Sequence, residues 1–298
     1  MGYFFGGISG FFWALSGVLY SYLYTNYPNF NAIGVLVYIL LLSEFFSFLN
    51  LSVIFSFRSR KIPELKIKYA ILPFFSGVFG GAVGMYAYLM SIQYIGIEYT
   101  ALLSSSYPAI AALLACIFLK DKLNSVGVAG FFILIVSSVM LILPSYQHKN
   151  LDYFYFIFVC ICSIGWSLEV VLSSYTMKFI ASELVYAIRV LGAISGYFVI
   201  IFFNKIEIYS LLHLLTIRNS SIILFILASG FLSYFYYYKS IGLVGPIRAI
   251  TMNITYTIWT VIMSYLFLDI DVNLMTILCC LGMFIGTCIT LSSRKVPL

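Results

Sequence analysis

Ten runs of about 20 apolar residues, separated by short polar breaks, dominate this chain. They fall roughly at residues 3–24, 31–57, 69–92, 97–119, 124–143, 153–177, 183–203, 219–238, 243–268 and 273–292. In lipid every backbone amide must be satisfied within the protein, so runs of this length are expected as membrane-spanning α-helices. The composition agrees: 63% of residues are hydrophobic and 9% charged, with a mean hydropathy of +1.06. Soluble domains carry roughly 25% charged residues. The expected fold is an all-α membrane protein of ten transmembrane helices, multi-pass in a cell membrane and, in bacteria, the inner or plasma membrane. The first run lacks a basic leader and a small-residue cleavage motif, so it is expected to be the first span rather than a signal peptide.

Orientation follows from the sixteen basic residues. With the N-terminus cytoplasmic, inner loops hold Arg58, Arg60, Lys61, Lys66, Lys68, Lys120, Lys122, Lys178, Lys239, Arg294 and Lys295, and outer loops only Lys149, Lys205 and Arg218. This asymmetry predicts that both termini are cytoplasmic. Internal similarity then divides the chain. A shift of 149 positions lays Gly96 on Gly245, Tyr107 on Tyr256, Phe118-Leu119 on Phe267-Leu268 and Asn124 on Asn273, and Trp13 and Trp166 hold similar places in the two halves. Five is odd, so a second set of five helices enters the membrane in the opposite sense. The expectation is two inverted five-helix repeats, residues 1–147 and 148–298, with a binding site between them near the midplane, as in many secondary transporters.

The segment Ala101-Leu102-Leu103-Ser104-Ser105-Ser106-Tyr107-Pro108, followed by Ala111-Ala112-Leu113-Leu114 and Phe118-Leu119-Lys120-Asp121, resembles the repeat of the EamA family in the drug/metabolite transporter superfamily. Gly245-Pro246-Ile247-Arg248-Ala249 through Leu268 is similar to the second copy. The resemblance implies a central cavity lined by the first four helices of each repeat, and export or exchange of small metabolites. Two positions depart from the family pattern. Asp121 replaces a frequent Glu, with Ile270 between Asp269 and Asp271 at the second site, and the mid-helix Pro108 becomes Thr257 in the second copy.

Several residues are candidates for function. Pro108 cannot donate a backbone hydrogen bond, and it is expected to bend its helix and free the carbonyl of Ser104. Thr100, Ser104, Tyr107 and Ala111 share a helix face, and Asn253 and Tyr256 align with Ser104 and Tyr107. These are either a central site or hydrogen bonds between helices. Glu169 lies mid-span on a face with Trp166 and Ser173, where a carboxylate costs roughly 2.5–3.5 kcal/mol or more on insertion scales. Arg189 sits at a similar depth. Glu169 is therefore either half of a structural ion pair with Arg189 or a site for a cationic group or a proton. Glu44, midway along the second span, has no basic residue evident at its depth and is either a second proton-coupling candidate or a protonated carboxyl bonded to a neighbouring helix. Arg248 either attracts a carboxylate or snorkels to the cytoplasmic surface.

The 25 tyrosines mostly suit interfacial belts. Tyr20, Tyr22, Tyr24 and Tyr27 belong to the outer end of the first span, and Tyr234, Tyr236, Tyr237 and Tyr238 to the inner end of the eighth. Trp13, Tyr88, Tyr107, Trp166, Tyr256 and Trp259 lie deeper, and about half are expected to line a cavity. The six cysteines, all in apolar runs, read as packing residues, and neither they nor His148 and His213 form a metal-binding pattern. No phosphate-cradling loop is present to drive transport with ATP. No cofactor, metal, enzymatic activity or nucleic-acid partner is expected; the partners are a small-molecule metabolite and the bilayer. The small-xxx-small pairs Gly6/Gly10, Gly77/Gly81, Gly80/Gly84, Gly192/Gly196 and Gly282/Gly286 point to close helix packing and leave a homodimer open. The function expected is alternating-access transport of small polar or amphipathic metabolites, amino acids leading. The rivals are an intramembrane enzyme acting on lipid-linked substrates, which would need clustered catalytic groups, and a non-transporting receptor or assembly partner, which would need a larger loop or tail.

Overall fold

The computed structural model describes residues 1–26, 32–57, 66–95, 100, 104, 107–120, 124–140, 153–207, 212, 217–268 and 274–292. Arg58, Arg60, Lys61, Lys122, Lys149, Arg294 and Lys295 of the charge count lie outside these residues, as do Ser105, Ser106, Asp121, Asp269, Ile270, Asp271, His148 and His213.

The described residues form helices and turns. Helices α1 (Gly2–Asn26) and α2 (Ala32–Phe57) open the chain. The third span is composite: α3 (Ile71–Ser76) runs into a π-helical segment, Gly77–Gly84, and continues as α4 (Met85–Ile95). Next come α5 (Tyr107–Leu114) with a π-helical end, Ala115–Leu119, and α6 (Ser125–Met140). The second half holds α7 (Phe156–Thr176), α8 (Ser182–Asn204), α9 (Ile217–Val244), α10 (Pro246–Asn253), α11 (Tyr256–Leu268) and α12 (Leu274–Ser292). Among the described residues, seven stretches are long and apolar enough to cross a bilayer by length and composition: Gly2–Tyr20, Ile33–Phe57, Ile67–Ser91, Phe156–Thr176, Ser182–Asn204, Ser221–Val244 and Pro246–Phe267. Tyr107–Leu119, Ser125–Ser137 and Ile277–Thr290 are shorter apolar helices at the expected fourth, fifth and tenth spans. This is a multi-pass helical membrane protein. Phe198, Phe202, Phe203 and Phe284 are exposed, which suits residues facing lipid tails.

Glycine decides how closely the central helices approach. A Cβ on Gly77 would run into the Arg189 carbonyl, and one on Gly192 into that of Phe74, so the third span and α8 touch backbone to backbone. A Cβ on Gly165 of α7 would lie 2.6 Å from the Phe79 carbonyl oxygen. Lipid gives helices no hydrophobic reason to associate with one another, so dispersion at such small-residue contacts carries much of the packing. Helices α6 and α12 use the same device, with Gly130 against Ile289 and Gly286 against Leu134.

Two breaks shape the second half. Gly245, at φ 85° and ψ 165°, occupies backbone space that is essentially glycine's alone, and Pro246 then starts α10 with its ring at a position where no amide donor is needed. Ile254 and Thr255 separate α10 from α11. There Thr255 Oγ1 donates to the Met252 carbonyl at 2.7 Å and Thr257 Oγ1 to that of Ile254 at 2.8 Å, alongside the backbone amides of the same two residues at 3.3 and 3.1 Å. In the first half Pro108 falls in the first turn of α5, buried. The freed Ser104 carbonyl and the bend expected there depend on Ser105 and Ser106, outside the described residues.

Candidate functional site

A cavity opens where α1, α5, α7, α9, α10 and α11 converge. Its walls are Trp13, Tyr107, Trp166, Glu169, Val170, Ser233, Tyr234, Tyr237, Asn253 and Tyr256, and about 40 Å³ is open to the centre of a water-sized sphere. That is room for about three waters, or the core of one small polyatomic group.

The rings are held at angles to one another. Trp13 of α1 meets Trp166 of α7 edge to face, with centroids 6.2 Å apart and planes at 85°. Trp13 also meets Tyr234 at 5.7 Å and 80°, and Tyr107 meets Trp166 at 5.5 Å and 81°. Such pairs are favourable because the electron-rich face of one ring receives the electropositive edge of the other. Tyr88 of α4 packs on Trp166 at 5.3 Å. Among the described residues, the buried indole Nε1 of Trp166 has no hydrogen-bond partner.

Polar side chains tie four helices together at the rim. Ser233 Oγ of α9 donates to the Ser9 carbonyl of α1 at 3.0 Å. Asn253 Nδ2 of α10 donates to Ser9 Oγ at 2.9 Å, and its Oδ1 accepts from the Tyr107 hydroxyl of α5 at 3.4 Å. Gly10 lets α10 approach, since a Cβ there would stand 2.8 Å from the Asn253 carbonyl oxygen. Ser167 Oγ anchors α5 to α7 through the Tyr107 carbonyl at 2.9 Å.

Behind one wall lies a buried ionic cluster. Arg189 Nε donates to Glu169 Oε1 at 2.9 Å and Nη2 to Oε2 at 3.3 Å, while Nη1 donates to Glu44 Oε1 of α2. Glu169 Oε1 also accepts from the Tyr238 hydroxyl at 3.1 Å, and Arg189 Cζ sits 4.2 Å from the centre of the Tyr234 ring. Arg189 is 0%, Glu169 4% and Glu44 8% exposed, so solvent screens none of these charges well. From Tyr238 a hydroxyl chain continues through Ser173 and Ser76, each step 3.0 Å, to the Pro73 carbonyl at 2.7 Å.

Of the eight binding candidates read from the sequence, six reach the cavity: Trp13, Tyr107, Trp166, Glu169, Asn253 and Tyr256. Tyr88 packs on Trp166, and Ser104 is buried; neither is among the lining residues. Trp259 is 37% exposed against Phe11, outside the cavity. Three readings are corrected. Glu44 does have a basic partner, because the long Arg189 side chain reaches it across the bundle from α8. Arg248 is 2% exposed and does not snorkel; it is held in the packed interior beside the α9–α10 break. Tyr237 and Tyr238 are buried rather than interfacial, because α9 continues to Val244 and carries them inside. Tyr234, Tyr237 and Ser233 of that helix, with Val170, are the lining residues that the sequence reading missed. Their signal was the shared face of Ser233, Tyr234, Tyr237 and Tyr238 at three- and four-residue spacing.

Comparison with known proteins gives three likenesses. The family model described as the EamA-like transporter family matches residues 1–143 and 153–292. Protein LicB of Haemophilus influenzae is 37% identical over 292 residues, covering 97% of both chains. A crystal structure superposes with a TM-score of 0.70 over 95% of both chains, at 12% identity, which is a likeness of fold.

Proposed function

The chain belongs to the EamA-like transporter family, and on that footing we propose that it is a secondary transporter of small metabolites bearing a cationic, ammonium-type group. The observation that carries the reading is the cavity itself, with six aromatic rings and one carboxylate, Glu169, in its wall. Aromatic faces attract ammonium groups most strongly where water is excluded, by about 2 kcal/mol or more per desolvated contact. A nearby carboxylate supplies the counter-charge. The unpartnered indole N–H of Trp166 favours a substrate that also brings a hydrogen-bond acceptor.

Amino acids, the class that the sequence favoured, satisfy half of this site. Their ammonium end suits Glu169, but their carboxylate needs a cation, and the described lining residues include no Lys, Arg or His. An intramembrane enzyme would need carboxylates free for proton transfer to substrate, whereas Glu44 and Glu169 share Arg189. The reading extends to ten spans in two inverted repeats, residues 1–147 and 148–298, with cytoplasmic termini and alternating access around the cavity. The family model's match over residues 1–143 and 153–292 supports the two-unit division.

The test is the thermal unfolding midpoint of the purified chain against tetramethylammonium, polyamines, amino acids and nucleosides. A ligand that binds the folded state alone raises the midpoint, by about 2.7 kcal/mol of stability at 100 times its dissociation constant. Dose-dependent shifts with ammonium cations are expected. Shifts confined to nucleosides or anionic solutes would contradict the proposal.

A further inference from the structure

Arg189 makes Glu169 a poor cation site on its own. Both Glu169 oxygens already accept from one guanidinium, at 2.9 and 3.3 Å, and a third donor, the Tyr238 hydroxyl, reaches Oε1 at 3.1 Å. An isolated pair of that kind presents no net charge to the cavity. Glu44 changes the balance. It binds the remaining edge of the same guanidinium through Nη1, from α2, and is not among the residues lining the cavity. Two carboxylates and one guanidinium leave a net charge of −1 when all three are ionised. Buried in the bundle, that charge is costly until a cation neutralises it.

We infer that Glu44 is the residue that sets the charge selectivity of the cavity: by competing with Glu169 for Arg189, it leaves the cavity wall one negative charge, which a monovalent organic cation completes. The inference rests on the cationic-substrate reading above. It also assigns Arg189 a role beyond structure, as a resident cation shared between two carboxylates. A substrate cation approaching Glu169 repels the guanidinium, and Glu44 is the group placed to hold it. Tyr234 connects the two halves of this arrangement, since its ring lines the cavity and also carries Arg189 Cζ at 4.2 Å. One ring cannot serve two cations equally on the same face, so loading of the cavity and the position of Arg189 are coupled through it.

The test is calorimetric titration of the full-length purified protein with tetramethylammonium, with monodispersity and unfolding midpoint measured on each variant. Glu44→Gln keeps an acceptor for Nη1 and removes one charge, bringing the cluster to zero; binding should weaken at least about tenfold. Adding Arg189→Gln to Glu44→Gln restores a net charge of −1 with no resident cation, and binding should return at least to the parent's strength. A structural role for Glu44 predicts no such recovery. Should Glu44→Gln fail to fold, Glu44→Asp keeps the charge and withdraws it by one methylene group, and should weaken binding by a smaller factor. Equal affinity in parent and in whichever single variant folds would overturn the inference and leave the cationic-substrate reading intact, as would a double variant that folds but binds no better than Glu44→Gln. No binding by the parent would overturn both.

Discussion

Glu169 is the side chain on which the site turns, and its surroundings explain how a carboxylate persists in the bundle. Five-donor arginine, placed one helix away, satisfies both of its oxygens with near-parallel N–H groups, a geometry that lysine could not reproduce. Removing one member of such a cluster leaves a buried charge unpaired, at a cost of about 3–5 kcal/mol. Arg189→Leu should therefore yield little folded protein, visible as loss of a monodisperse peak in detergent. Glu169→Gln should remain folded, because Gln still accepts from Arg189, but should abolish the ligand-induced rise in unfolding midpoint; an undiminished rise would remove Glu169 from the site. The Glu169–Arg189 proximity was readable from matched depths in the sequence. Glu44 was not, since the reach of Arg189 across to α2 is a property of the packed bundle rather than of spacing along any helix.

Among the elements, the third span does most to position the site. Its π-helical stretch Gly77–Gly84 lies against α7 and α8, where a Cβ on Gly80 would strike Glu169 and one on Gly81 would stand 2.9 Å from Arg189 Nη2. Extra width in the backbone spiral is tolerated because the segment carries little side-chain bulk, and such segments recur at functional sites. Gly192→Val should overpack the contact with Phe74, costing about 1–3 kcal/mol and lowering the unfolding midpoint; an unchanged midpoint would show that the two spans can separate freely. Gly245→Ala should cost a similar amount, about 1–3 kcal/mol, because its φ of 85° and ψ of 165° exclude a side chain. The small-residue pairs were legible in the sequence as packing contacts. The π-helical stretches were not, because hydrophobic runs report length and polarity and say little of whether a turn closes on the fourth or the fifth residue.

At the scale of the whole molecule, the sequence carried the class with little ambiguity: long apolar runs in a chain with 9% charge have few places to go but a bilayer. The aromatic cavity was only half legible. Trp13, Trp166, Tyr107 and Tyr256 stood out by depth, whereas Tyr234 and Tyr237 were hidden in a tyrosine-rich helix end that resembles an interfacial belt. Only the inward continuation of α9 distinguishes the two. The proposed topology makes its own prediction. Single cysteines placed at Lys66 and Lys178 in a background without the native six should react with a membrane-impermeant maleimide only after the cells are opened, and one at Lys205 should react in intact cells; the reverse pattern would invert the orientation. The most direct test of the central claim is counterflow into proteoliposomes loaded with tetramethylammonium, glycine betaine, alanine or uridine. Exchange of labelled tetramethylammonium against itself, reduced to background by Glu169→Gln, is the predicted result. Exchange of alanine or uridine without any exchange of the cation would contradict it.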